Sequence, residues 1–272
     1  MVFFLVNFEV RTKIRRKMRR LLPILLGFFL FNMLHAQVET QTVNVNSNVY
    51  DETKLLYRNE ANAGLIVTTN GLGFSYRRGW QVTNARKRVF EIEGVTYRHP
   101  KEVKITNQYM DHPKGYFYGK LNSLIIIRPG FGYQNVFFTK PEHNGIEIRW
   151  IAFVGASIGL AKPVYLEILE PVVQNQRMVV TEKYDPAVHF IDNIYGRAPF
   201  MKGVGETKIH PGAYVKLGIN FEYGALDNDI KSIETGITVD AYPKAIPLMA
   251  NEHNHPVLIS LYLDFNYGGK WF

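Results

Sequence analysis

Long stretches of this sequence alternate apolar and polar residues with a period of two, and few folds accept that pattern over such lengths. From Val257 to Tyr267 the odd positions Val257, Ile259, Leu261, Leu263, Phe265 and Tyr267 are apolar or aromatic, while Ser260, Tyr262, Asp264 and Asn266 fall between them. Gly212–Tyr223 sets Ala213, Val215, Leu217, Ile219 and Phe221 against Tyr214, Lys216, Gly218, Asn220 and Glu222. Ser232–Tyr242 sets Ile233, Ile237 and Val239 against Glu234, Thr238 and Asp240. Ile146–Leu160 opposes Ile148, Trp150 and Val154 to Glu147, Arg149 and Ser157, with Ile151 and Phe153 breaking the polar row. Strands of soluble sheets typically run about 5–6 residues. These runs are longer, and each is half polar and half apolar.

Eight such segments are expected: 64–78, 87–98, 116–133, 146–161, 163–170, 210–224, 230–243 and 257–270. An even number returns both ends of the sheet to one side. Short turns are expected at Lys162-Pro163 and at 226–229, and longer connections at 79–86, 134–145, 171–209 and 244–256. That segregation of turns and loops is the habit of transmembrane barrels. The connection 99–115 is the exception, being too long for the side it falls on. Within 64–78 the apolar phase slips from odd (Leu65, Val67) to even (Leu72, Phe74, Tyr76) at Asn70-Gly71. The slip is either a hairpin turn or a bulge. A turn would give nine elements, so parity favours the bulge.

The polar rows decide which way the strands face. They mix Glu147, Arg149, Lys216, Glu222, Glu234 and Asp240 with glycine and tyrosine. An eight-stranded barrel has a bore just wide enough to be filled by side chains. Opposite charges and small residues fit such a bore, because an unpaired buried charge is costly. The six charges are therefore expected to form a luminal network. The apolar rows, with Trp150, Phe131, Tyr133 and Tyr267 near strand ends, are expected to meet lipid, rings at the interface. On this reading Val215 and Ile237 face the bilayer, and Lys216→Gln is better tolerated than Val215→Arg if the charge partner of Lys216 can rehydrate.

The net charge of +8 first suggests nucleic acid. Seven basic residues, however, lie within 1–36 against the single acid Glu9, so six of the eight positive charges belong to that segment. The nucleic-acid reading loses its support. Residues up to Arg20 are basic, Leu21–Phe31 is an apolar run shorter than the roughly 20 residues of a spanning helix, and Leu34-His35-Ala36 ends on a small residue. This is the anatomy of a signal peptide cleaved near Ala36, with Met18 a possible start of translation. The domain plan is a signal peptide at 1–36, a periplasmic N-terminal arm at 37–60 and a barrel at 61–272. The absence of cysteine excludes disulfides, thiolate metal sites and a cysteine nucleophile.

The segments Arg128-Pro129-Gly130-Phe131-Gly132, Asn193-Ile194-Tyr195-Gly196-Arg197-Ala198-Pro199-Phe200 and Asn220-Phe221-Glu222-Tyr223-Gly224 resemble a family of small outer-membrane β-barrels of the Bacteroidota, as does the Ala-Gln end of the leader. The resemblance covers roughly residues 55–272 and brings no assigned reaction. It implies an outer-membrane location and an accessory role in a secretion or barrel-assembly machine, by analogy only.

Motifs for chemistry are sparse. His253 and His255 flank Asn254 beside Glu252, but two histidines lack a third fixed ligand, so no metal is expected. Asp185 and His189 have no serine in a nucleophile-elbow context. Ser157, Ser260 and His210 keep a membrane-embedded lipid-modifying or hydrolytic enzyme, or else a narrow transporter, as alternatives, and no cofactor is implied. The connection 171–209 is the informative irregular segment, since loops of that length are functional or disordered. Its Phe190, Ile194, Tyr195, Arg197 and Phe200 are expected to bind a partner, Tyr and Arg being common at binding hot spots. The expectation is an all-β, eight-stranded antiparallel transmembrane barrel, structural or accessory rather than enzymatic, in contact with outer-membrane lipid and other envelope proteins.

Overall fold

A computed structural model describes residues 58–83, 85–107, 114–139, 145–172, 176–223, 229–250 and 252–271. The expected signal peptide, its cleavage site and all but the end of the N-terminal arm lie outside the described residues. The strands in chain order are β1 (Asn59–Thr68), β2 (Gly71–Thr83), β3 (Arg86–Tyr97), β4 (Lys104–Ile105), β5 (Tyr116–Phe117), β6 (Asn122–Phe138), β7 (Glu147–Pro163), β8 (Tyr165–Val172), β9 (Gln176–Lys183), β10 (Ile194–Arg197), β11 (Lys208–Glu222), β12 (Asp229–Ala241) and β13 (Val257–Trp271). Eight of them close into one antiparallel barrel in the order β1-β13-β12-β11-β7-β6-β3-β2. Closure leaves no unpaired edge.

The number of barrel strands is as expected, but two of the assignments behind it change in compensating ways. Thr68 pairs with Gly71 across a tight turn at Thr69-Asn70, so 59–83 is a hairpin of two strands and not one bulged strand. The Thr68 hydroxyl accepts from the Asn70 amide at 3.3 Å and donates to the Gly71 carbonyl at 3.2 Å, closing the turn. The phase slip is the reversal of chain direction. Conversely, 163–170 is not a barrel strand. β7 is already paired along its length with β6 on one side and β11 on the other. β8 therefore finds its partners outside the barrel, in a three-stranded sheet ordered β10-β8-β9.

Splitting the first segment also reassigns the ends. Three long connections, 98–121, 164–207 and 242–256, leave from the same rim, here called the loop end. Connection 99–115, the apparent exception, sits where long connections belong. The opposite rim, the terminal end, carries the start of β1, the end of β13 and the shorter β2–β3, β6–β7 and β11–β12 connections. The segments 79–86 and 134–145 thus belong with the turns and not with the loops.

Burial follows the pleat. In β13 the even residues Leu258, Ser260, Tyr262, Asp264 and Asn266 are buried and the odd ones exposed. Interior tyrosines need room opposite them. A side chain at Gly130 would meet the Tyr214 ring, and one at Gly218 the Tyr262 hydroxyl.

Candidate functional site: a filled lumen beneath a folded cap

All six expected luminal charges lie on the inner face, but they share it with eight further charged residues outside that set: Glu60, Arg77, Lys87, Glu91, Glu93, Arg128, Asp264 and Lys270. Around the middle of the bore Arg77 from β2 donates Nε to Glu91 at 2.5 Å and its terminal nitrogens to Glu234 at 2.5 and 2.7 Å, and reaches Asp264 at 3.1 Å. Lys216 from β11 pairs with Glu93, with Glu91 at 3.1 Å and with Glu234 at 3.5 Å. Its ammonium also lies 4.4 Å from the centre of the Tyr262 ring, whose hydroxyl donates to Glu234 at 3.0 Å. Lys216, Glu91, Glu234 and Asp264 are all fully or nearly fully buried.

Toward the loop end Arg128 holds Asp240 in a two-pronged contact at 2.8 and 2.6 Å and touches Glu93 at 3.2 Å. Ser157 donates to Asp240 at 2.7 Å and shares a hydrogen bond with Tyr242 at the same distance. Toward the terminal end Arg149 pairs with Glu147 and Glu222, each at 2.5 Å, Lys270 reaches Glu222 at 2.6 Å, and Lys87 pairs with Glu60. The expected charges thus fall into three groups. Glu147, Arg149 and Glu222 meet one another, Lys216 meets Glu234, and Asp240 is held by Arg128.

Glu91 and Glu93 were legible, since they alternate with outward Phe90 and Ile92. Arg77 was hidden by the phase slip. Ile151 and Phe153, which broke the polar row, are simply inward and buried, packed with Val89 and Tyr214.

Above the charges the loop-end mouth is filled by apolar residues. Ile246, Leu248 and Met249 from connection 242–256 pack against Tyr97, Leu124, Ile126, Tyr242 and Leu258 of the barrel wall. Asn254 clamps this plug. Its side-chain oxygen accepts from the Leu248 and Met249 amides at 2.9 and 3.1 Å, and its amide donates to the Met249 carbonyl at 2.9 Å.

The connections 98–121 and 164–207 form a cap with a separate core of Tyr116, Leu166, Ile168, Tyr184 and Ile194. Asn107 ties the two connections by donating to the Ile191 and Ile194 carbonyls at 3.0 and 2.9 Å. Burial pushes the Tyr116 and Tyr184 phenols up. On the cap surface Tyr165 donates to Glu206, and with Lys183 at 3.2 Å it holds that carboxyl below its ordinary range.

Of the five residues expected to bind a partner, Phe190, Arg197 and Phe200 are exposed and Tyr195 is half-buried. Ile194 corrects the expectation: at 0% exposure it belongs to the cap core and holds the cap together. β10 exists only because its alternate residues close that core.

The histidine features are structural. His189 is buried, accepting the Asp185 amide at Nδ1 at 3.0 Å and meeting Glu182 at 3.2 Å through Nε2. The His253 and His255 rings stand edge to face at 4.7 Å beside a cleft of about 260 Å³, and Glu252 is paired with Lys101. Among the described residues no three donors come together as a metal site, and no serine hydroxyl bonds a histidine.

No family model matches the sequence, and no curated protein does. Solved structures with similar shape include Neisserial surface protein A (9% identity, TM-score 0.39, covering 79% of this chain and 97% of that one). Ail, the attachment invasion locus protein of Yersinia pestis, in complex with a heparin analogue, follows at 8% identity and TM-score 0.38, covering 78% and 97%. The N-terminal β-barrel domain of Pseudomonas aeruginosa OprF stands at 8% and 0.33, covering 77% and 98%. At these scores the likeness adds nothing to the strand pairing, on which the barrel assignment rests.

Proposed function

We propose that this protein is an integral barrel of the bacterial outer membrane that works as a structural or accessory subunit, binding another envelope protein through its cap. The observation that carries the membrane reading is the outer wall. Leu65, Phe74, Ile92, Phe131, Val154, Val215, Ile237 and Leu261, one from each of the eight barrel strands, are all exposed. A continuous apolar belt far exceeds the few hundred Å² that a water-soluble protein tolerates. The leader with its expected cleavage near Ala36, and the resemblance to small barrels of the Bacteroidota, support the same address.

The bore supports a non-conducting role. An eight-stranded interior is already narrow, and here ion pairs fill its middle and an apolar plug its mouth. The cap supports the accessory role: Val188, Phe190 and Ile191 are exposed within four residues of one another, outside the belt that lipid would cover. The enzyme alternative draws less support, because Ser157 is bonded into the Asp240–Tyr242 network.

Three measurements test this reading. The full chain should insert into lipid vesicles and migrate in a heat-modifiable way on a gel. Planar-bilayer recording should show no stable open state, and a steady large conductance would refute the closed bore. Co-purification after gentle detergent extraction should recover an envelope protein that is lost with V188S/F190S/I191S. A variant that folds and keeps every partner removes this surface from the proposal.

A further inference from the structure

The stretch 71–90 holds five basic residues, Arg77, Arg78, Arg86, Lys87 and Arg88, and no acid. The pleat sorts them. Arg77 and Lys87 point inward and meet buried carboxylates. Arg78, Arg86 and Arg88 point outward, where none of them pairs with a carboxylate among the described residues. The Arg86 guanidinium donates to the Asn135 side chain at 2.9 Å.

Register brings the three together at the terminal end. Arg88 stands directly between Trp80 on β2 and Tyr133 on β6. Arg78 lies 5.7 Å from the Trp271 ring and 6.0 Å from the Trp80 ring, and Arg86 lies 5.5 Å from the Tyr133 ring. Arg78 leans toward Trp271 on β13 and Arg86 toward Tyr133 on β6, with Arg88 between them, so the three guanidinium groups form a row along the rim. The rings hold the arginines by cation–π attraction, and Trp and Tyr favour the depth of lipid headgroups. At the other rim Lys162 lies over the Phe200 ring at 4.2 Å, but no tryptophan stands there, and outward residues such as Leu72, Ile125, Ile209 and Val257 are aliphatic.

The geometry points to a basic row that binds the phosphates of anionic phospholipid headgroups along Arg78, Arg88 and Arg86, framed by Trp80, Tyr133 and Trp271, in the leaflet that meets the terminal end. The inference rests on the membrane reading above. It assigns these arginines their missing counter-ion: a guanidinium fork matches a phosphate with paired hydrogen bonds, and an anionic lipid keeps the net negative charge that a zwitterionic one cancels.

The test reconstitutes the full chain in phosphatidylcholine vesicles containing a minor share of spin-labelled phosphatidylglycerol, with labelled phosphatidylcholine as the reference. The labelled anionic lipid should be enriched at the protein by roughly tenfold at low salt and less at high salt. R78Q/R86Q/R88Q should lose that enrichment, and R78K/R86K/R88K, which keeps the charge but not the fork, should lose part of it. R88Q alone is read the same way if the triple variant does not fold. K162Q/K202Q/K208Q at the loop end should leave the enrichment intact. Insertion with no preference for phosphatidylglycerol, or equal loss in the loop-end variant, overturns this site and leaves the membrane reading standing. Failure to insert into any vesicle overturns both.

Discussion

β7 and β8 are separated by a single residue, Val164, yet they obey opposite rules of burial. Along β7 the apolar Trp150 and Val154 are exposed while Arg149 and Ser157 are buried. In β8, Leu166 and Ile168 are buried in the cap core with Tyr116, Tyr184 and Ile194. Both sides of Val164 are extended strand. What differs is the surroundings: the barrel wall turns its apolar face outward and encloses charges that must satisfy one another, while β8 turns Leu166 and Ile168 into the cap core and pairs its buried Glu167 with Lys114. The comparison teaches that alternation states that a strand has two faces and leaves open which of them is inside.

The strongest way to break this comparison is inside the bore. Lys216→Met should cost about 3–5 kcal/mol, because it leaves Glu91, Glu93 and Glu234 short of their common cation. Urea unfolding in vesicles, followed by gel migration, would measure it. The double variant K216M/E93Q should recover part of the loss. This reverses the sequence-based expectation that position 216 is the tolerant one, since a fully enclosed cation has no route to water. If K216M were neutral, the luminal network would hold no structural weight.

On the outer face Val215→Arg or Ile237→Arg should cost about 2–4 kcal/mol near the bilayer midplane. The same unfolding assay applies, and a neutral result at both positions would mean that the apolar belt does not meet lipid. In the cap a smaller, local effect is expected: Ile194→Val should cost about 0.5–1.5 kcal/mol. Hydrogen exchange should show it in β8–β10 and leave β7 and β11 unchanged. An effect spreading into the barrel would show that the two cores are one cooperative unit.

The smallest effect concerns the surface pair Tyr165–Glu206. The Glu206 carboxyl is held below its ordinary pKa of 4.5, first because Tyr165 donates to it and then because Lys183 does. Its contribution is therefore present above about pH 4.5 and is lost as pH falls through the lower, folded-state value. Glu206→Gln should remove that acid dependence from the cap's exchange rates and leave barrel unfolding untouched. An unchanged acid response in the variant would remove this contact from the account.

Much of the barrel was legible because an apolar outer wall and a packed polar bore together impose strict alternation. Lys216, Glu234 and Asp240 could be placed inside from their neighbours alone. Arg77 could not, because a tight turn and a bulge leave the same one-residue slip in the pattern, and only the Thr68–Gly71 pairing separates them. The run 163–170 reads as one more barrel strand for a similar reason. Its period is right, and the ladders that already occupy both edges of β7 are invisible in sequence.

The sequence by itself determined that the chain builds long two-faced strands, that its inner rows carry charges of both signs, and that its basic surplus is concentrated in residues 1–36. These follow from residue type and local period, which no tertiary contact alters. Tertiary structure decided which eight strands close the barrel, which carboxylate meets which cation, and that Ile194 serves a core and not a partner. Those are matters of register and pairing between residues as far apart in the chain as Asn59 and Trp271, and a period of two carries no information about which distant strand lies alongside.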